Sequence, residues 1–162
     1  MKLYERIAER VAVYEEMGQE LVPHAVVENL NPAFPLRPYQ EDSLRHFIYY
    51  LNDYRERARP SQLLFHMATG SGKTLIMAAA ILYLYQQGYR NFIFFVNSTT
   101  IIEKTRDNFL NPQSSKYLFA PALKLDGRRV AVQPVESFQA VSPQSINILF
   151  TTIQGLHSML NT

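Results

Sequence analysis

The stretch "HMATGSGKT", residues 66 to 74, sets Gly70 and Gly72 directly before one lysine and one hydroxyl. Glycine tolerates backbone angles closed to other residues and carries no side chain. Successive amide N–H groups can therefore converge on an anion there. In such a loop Lys73 is expected to reach the β- and γ-phosphates of a nucleoside triphosphate as a mobile point charge, with the Thr74 hydroxyl ligating Mg²⁺. The ordinary alternative is a flexible turn before a helix that begins Lys-Thr, which would need strand, glycines and helix to coincide by chance. The general pattern G-x-x-x-x-G-K-[ST] places glycine at 67, where this chain has Met67.

The loop needs a strand before it and a helix after it. "QLLFH" at 62–66 reads as a short buried strand, and "KTLIMAAAILYLYQQ" at 73–87 as a helix apolar on most sides, closed by Gly88. "NFIFFVN" at 91–97 predicts a second buried strand. Thr100 and Glu103 form a capping-box pattern opening a helix to Leu110. Residues 111–128 look like a long connection, followed by strands in "RRVAVQPV" and "INILFTT". Strands alternating with helices predict a mostly parallel sheet in a three-layer α/β architecture. Upstream, Leu44, Phe47, Ile48, Leu51 and Tyr54 share one face of a helix expected over 40–59. Leu3, Ile7, Val11, Tyr14 and Met17 make the N-terminus amphipathic. Between these helices, four prolines in residues 22–38 mark a connector. The expected organisation is thus an N-terminal helix (1–21), a Pro-rich connector (22–35) and an α/β domain (36–162).

With 162 residues, 47% apolar, and a net charge of +2, the chain has the size and composition of one globular domain. So small a charge implies that any nucleic-acid contact is local. There is no cysteine, hence no disulfide framework or thiolate metal site, which suits a reducing compartment. The histidines at 24, 46, 66 and 157 lack the spacing of a zinc pair. The longest apolar run, Leu75 to Tyr85, is eleven residues, about half of the roughly 20 a membrane span requires. A cytoplasmic chain without a signal peptide is the expectation.

"ATGSGKT" resembles motif I of the superfamily-two, DEAD/DEAH-type helicases and translocases, written A-x-x-G-x-G-K-T. "LRPYQ" at 36–40 resembles their adenine-reading Q motif, "FFVNSTTIIEKT" at 94–105 their motif Ia, and "ILFTTIQGL" at 148–156 a later nucleic-acid-contacting motif. Taken together, these segments are most similar to the helicase domain of the type III restriction endonuclease Res subunit, over about residues 36–160. The resemblance implies a RecA-like P-loop fold, here an incomplete first ATPase lobe, with ATP and Mg as cofactors. Ala68, Thr69, Gly70, Ser71, Gly72, Lys73 and Thr74 would cradle the phosphates, Gln40 would pair with the adenine edge, and Arg37 would line the base or ribose. Asn97, Ser98, Thr151, Thr152 and Gln154 would touch the sugar-phosphate backbone of duplex DNA; Ser and Thr after a strand are also ordinary helix caps. A methyltransferase (modification) subunit is the implied partner.

The family's acidic D-E-x-x motif has no counterpart, because no aspartate is followed by glutamate, and the aspartates at 42, 53, 107 and 126 lie in helices or a connector. The expectation is therefore an N-terminal fragment of a larger motor, a hydrolase as a whole, that binds ATP without turning it over. A type I restriction motor, a DNA repair helicase and a P-loop small-molecule kinase module are the alternatives. The Q-motif match disfavours the last. "RERAR" at 55–59 reads as a solvated helix end, and Tyr49-Tyr50 and Phe94-Phe95 as core.

Overall fold

The first helix, α1 (Leu3–Glu16), buries Ile7 and Val11, one turn apart, against Tyr49 and Tyr50. Its partner is α3 (Pro38–Asn52), which starts on a proline at its first position, where a missing N–H costs nothing. Between them lies α2 (His24–Glu28), so the proline-rich stretch is built into the fold: Val26 and Leu30 belong to the main core. In the computed structural model, which describes residues 1–162, α3 ends at Asn52 and not at 59. Tyr54 folds back to stack on Tyr50 at 5.6 Å, and the Tyr50 hydroxyl accepts a hydrogen bond from the Ala58 amide at 3.3 Å. "RERAR" is thus a surface turn beyond the helix, and no helix dipole accounts for its charges.

After the loop, α4 (Lys73–Gln86) buries seven side chains, with Tyr83 edge-on to Phe47 of α3 at 6.0 Å. It leads into β1 (Asn91–Val96), followed by α5 (Thr99–Leu110). The cap of α5 is Ser98, whose Oγ accepts from the Ile101 amide at 3.4 Å, replacing the expected Thr100/Glu103 box. A hairpin follows, β2 (Lys124–Leu125) and β3 (Arg128–Arg129), turning on Asp126 and Gly127, both with positive φ. Asp-Gly is the sequence signature of such a turn, so part of the expected long connection is folded structure. The expected strand in 128–135 divides into β3 and β4 (Val132–Pro134). Last come β5 (Ile146–Thr152) and α6 (Ile153–Leu160).

The main sheet has the order β1-β5-β4, all parallel, with Asn91 opposite Asn147 and Val96 opposite Thr152. The central strand β5 is a near-continuous buried run, as a strand covered on both faces must be. The Phe150 ring lies 5.9 Å from Phe94 and 6.2 Å from Phe109 of α5. Phe95, expected in the core, is 48% exposed, because it points to the odd-numbered face of β1, which lies open.

"QLLFH" is not a strand. A strand exists through hydrogen bonds to a neighbour, and no strand lies beside residues 62–66. Phe65 still packs on Phe47 at 5.8 Å, while Leu64 is 91% exposed. The result is a three-stranded parallel sheet with flanking helices, consistent with part of a RecA-like α/β fold.

Candidate nucleotide-binding site

Two left-handed glycines shape the loop: Gly70 has φ 78° and Gly72, the residue capping α4, has φ 80°. The Ser71 amide closes a turn on the Ala68 carbonyl at 3.2 Å, and the Gly72 carbonyl accepts from the Leu75 and Ile76 amides. The amides of Thr69, Gly70 and Gly72 donate to no backbone carbonyl. Those of Lys73 and Thr74 open the first turn of α4, where no preceding helical carbonyl can receive them. The helix adds its partial positive charge at the same end. Lys73 Nζ donates to the Met67 carbonyl at 3.1 Å and the Ala68 carbonyl at 2.8 Å, so the ammonium is folded over its own loop.

Whether these residues suit a magnesium-bound triphosphate is decided by the groups left over. Ser71 Oγ is buried with no hydrogen-bond partner, and Thr74 brings a hydroxyl to the first turn of α4. Together with the open amides and one lysine, they form a donor set for phosphate oxygens and one oxygen ligand for Mg²⁺. The residues fit the group. Tyr39, Ser43 and residues 66–71 line an open cleft of about 510 Å³ beside the loop, with no carboxylate in its wall. No group of three His, Cys, Asp or Glu side chains suited to a metal occurs in the chain.

Gln40 is only 2% exposed and reaches the loop, not open space. Its Oε1 accepts from the Arg37 amide at 2.9 Å, and its Nε2 donates to the carbonyls of Ser71 at 3.0 Å and Gly72 at 3.4 Å. In this arrangement the amide expected to read adenine is engaged at both ends by the protein. Arg37 is exposed and gives Nη1 to the Tyr39 hydroxyl at 3.2 Å. Tyr39 in turn donates to the Ser71 carbonyl at 2.8 Å. The sequence reading passed over Tyr39; the signal was an aromatic phenol adjoining Gln40 in "RPYQ".

The expected nucleic-acid contacts meet at one end of the sheet. Because β1 and β5 run parallel with Val96 beside Thr152, Asn97 and Ser98 leave the sheet next to Ile153 and Gln154. Thr152 Oγ1 accepts from the Gly155 amide at 2.9 Å and caps α6, as Ser98 caps α5. Thr151 is buried, whereas Asn97 and Gln154 are exposed. The glycine-rich loop before α4 shares this end. At the far end of α4 the Tyr85 hydroxyl donates to the Gln144 carbonyl at 2.6 Å, and Arg90 Nε to the Pro143 carbonyl at 3.0 Å, just before β5 begins. Hence α4 runs antiparallel to the strands, and its N-terminus points to their carboxyl ends, where α/β sheets bind ligands.

Comparisons with known proteins agree with this geometry. Residues 33–162 match the family described as "Type III restriction enzyme, res subunit". The chain is 38% identical over 171 aligned residues to a Haemophilus influenzae protein named "Probable type III restriction-modification enzyme HindVIP Res subunit". That alignment covers 99% of this chain and 32% of the relative, so the chain spans about a third of the relative's length. No solved structure matches.

Proposed function

Because the chain belongs to the type III restriction enzyme Res subunit family, a family of helicase-like ATPases, we propose that residues 36–162 form the ATP-binding part of a DNA-dependent motor. The observation that carries this reading is the loop at the N-terminus of α4, with two left-handed glycines, open amides, a lysine folded over the loop and an unpartnered buried hydroxyl. The amides of Gly70, Gly72, Lys73 and Thr74 would hold the β-phosphate, and Lys73 would exchange its loop carbonyls for phosphate oxygens. Thr74 Oγ1 would hold Mg²⁺, which supplies charge neutralisation between the β- and γ-phosphates. Exchange at Lys73 is the step this chain controls, since the ammonium must leave the Met67 and Ala68 carbonyls as the triphosphate arrives.

The finer reading extends to DNA and to a partner. Asn97 and Gln154, exposed beside the caps of α5 and α6, suit contact with a phosphodiester backbone, with Ser98 and Thr152 setting the helix ends. Translocation on duplex DNA in concert with a modification methyltransferase, in the cytoplasm, completes the proposal. With no aspartate followed by glutamate to orient an attacking water, this chain is expected to bind ATP and to turn it over negligibly. No helix is long and apolar enough to cross a membrane.

Calorimetric titration of the chain with Mg-ATP, beside Lys73→Ala and with GTP as competitor, tests the reading. Saturable binding lost in the variant is the expected result. A folded sample that binds no nucleotide would refute it.

A further inference from the structure

The Ser71 carbonyl is gripped twice from α3, by the Tyr39 hydroxyl at 2.8 Å and by Gln40 Nε2 at 3.0 Å. A peptide unit is planar and trans, so its carbonyl and the following N–H point in opposite directions. Holding the Ser71 oxygen toward α3 therefore turns the Gly72 N–H away from α3, with no backbone carbonyl to receive it. Gly72, free of a Cβ and held at positive φ, is the residue at which this peptide unit could otherwise rotate most easily.

We infer that Tyr39 is a positioning residue of the phosphate loop: its hydroxyl, itself fixed by Arg37, locks the 71–72 peptide so that the Gly72 amide is presented to phosphate. This inference rests on the nucleotide-binding reading above. Three features separate Tyr39 from Gln40. Gln40 is buried and also caps the start of α3 through the Arg37 amide, so its loss disturbs the helix as well as the loop. Tyr39 is 40% exposed and lines the 510 Å³ cleft together with Ala68, Thr69 and Gly70, so its hydroxyl can be removed with little effect on packing. Arg37 Nη1 donates to the phenol oxygen, leaving the phenol proton directed at Ser71. A chain of two hydrogen bonds thus runs from an exposed guanidinium to the loop backbone. Adenine recognition is not required for this role, since the group that Tyr39 orients is an amide facing phosphate.

Tyr39→Phe keeps the ring and removes only the hydroxyl. Wild type and variant are titrated with Mg-ATP and, separately, with magnesium tripolyphosphate, which has the phosphates and no base. The expected result is a loss of affinity by the same factor for both probes, roughly three- to tenfold for one hydrogen bond, with an unchanged melting temperature. Unchanged affinity for both probes overturns the inference. A loss confined to ATP also overturns it, because the ring would then be serving the base. If wild type binds neither probe, the nucleotide-binding reading itself fails and this inference falls with it; if wild type binds and Tyr39→Phe is indistinguishable, only the positioning role fails.

Discussion

Gln40 Nε2 occupies the space in which a Cβ on Gly72 would have to sit. Residues 32 apart in sequence thus meet so closely that a side chain at 72 would have to displace the Gln40 amide from the Ser71 and Gly72 carbonyls. Gly70 has nearly the same φ, but a Cβ there would meet nothing within 4 Å. The pair separates strain from collision. Gly70→Ala is expected to cost about 1–2 kcal/mol through its left-handed backbone alone. Gly72→Ala adds displacement of Gln40 and is expected to cost more and to abolish Mg-ATP binding. Urea unfolding and calorimetry on both variants check this; equal effects would mean that the Gln40 contact is unimportant.

Asn29 holds the proline-rich segment to the hairpin. Its Nδ2 donates to the carbonyls of Ala25 at 2.7 Å and Lys124 at 2.8 Å, and its Oδ1 accepts from the Lys124 amide at 2.8 Å. Asn29→Ala leaves the Lys124 backbone groups without partners and is expected to lower stability by about 1–3 kcal/mol. A midpoint in urea unchanged from wild type would show that residues 22–35 act only as a tether.

Tyr83 carries a buried hydroxyl with no hydrogen-bond partner. Burial pushes its pKa above the ordinary 10.0, with Asn52 opposing the shift and Asp53 adding to it. Burial raises Tyr117 likewise. Below pH 10 both phenols are neutral in the folded and unfolded chain, and their contribution to stability is fully present. Above pH 10 the unfolded chain ionises first, so stability falls as pH rises through the folded pKa values. Tyr83→Phe is expected to raise stability at neutral pH by about 1 kcal/mol and to shallow this alkaline decline. Melting curves from pH 8 to 11 for both proteins decide it, and identical pH slopes would contradict the assignment.

Asn97 and Gln154 are exposed, whereas Thr152 caps a helix. On the proposed DNA-contact reading, Asn97→Ala and Gln154→Ala are expected to weaken duplex DNA binding several-fold at unchanged thermal stability. Thr152→Ala is expected to destabilise by about 1 kcal/mol as a lost cap. Filter binding at two salt concentrations, with melting curves alongside, tells the roles apart; DNA affinity untouched by either exposed variant would remove this end of the sheet as the contact surface.

Ile93 and Phe95 lie 47% and 48% exposed on the outer strand β1. An open apolar face beside an unpaired strand edge invites association. The chain is expected to self-associate, and Phe95→Lys to reduce this in sedimentation velocity; a wild-type chain monomeric at high concentration would contradict the expectation.

Much of the site was legible in the residues themselves. Left-handed backbone at Gly70 and Gly72, the start of α4 at Lys73 and the apolar face of α3 follow from local sterics and periodicity, which neighbouring residues encode. Ser98 and Asp126-Gly127 were local signals too, a cap and a hairpin turn that a rival capping pattern and a long-loop reading obscured. Other features depend on partners distant in the chain. "QLLFH" has the composition of a strand, yet strand formation requires an aligned neighbour, and the neighbouring position beside residues 62–66 is empty of one. The grip of Tyr39 and Gln40 on Ser71, more than 30 residues away, is likewise absent from any local pattern. The sequence by itself determined a glycine-rich loop with two left-handed residues opening an apolar helix. Only the tertiary structure, by carrying α3 against that loop, decided which way its amides face.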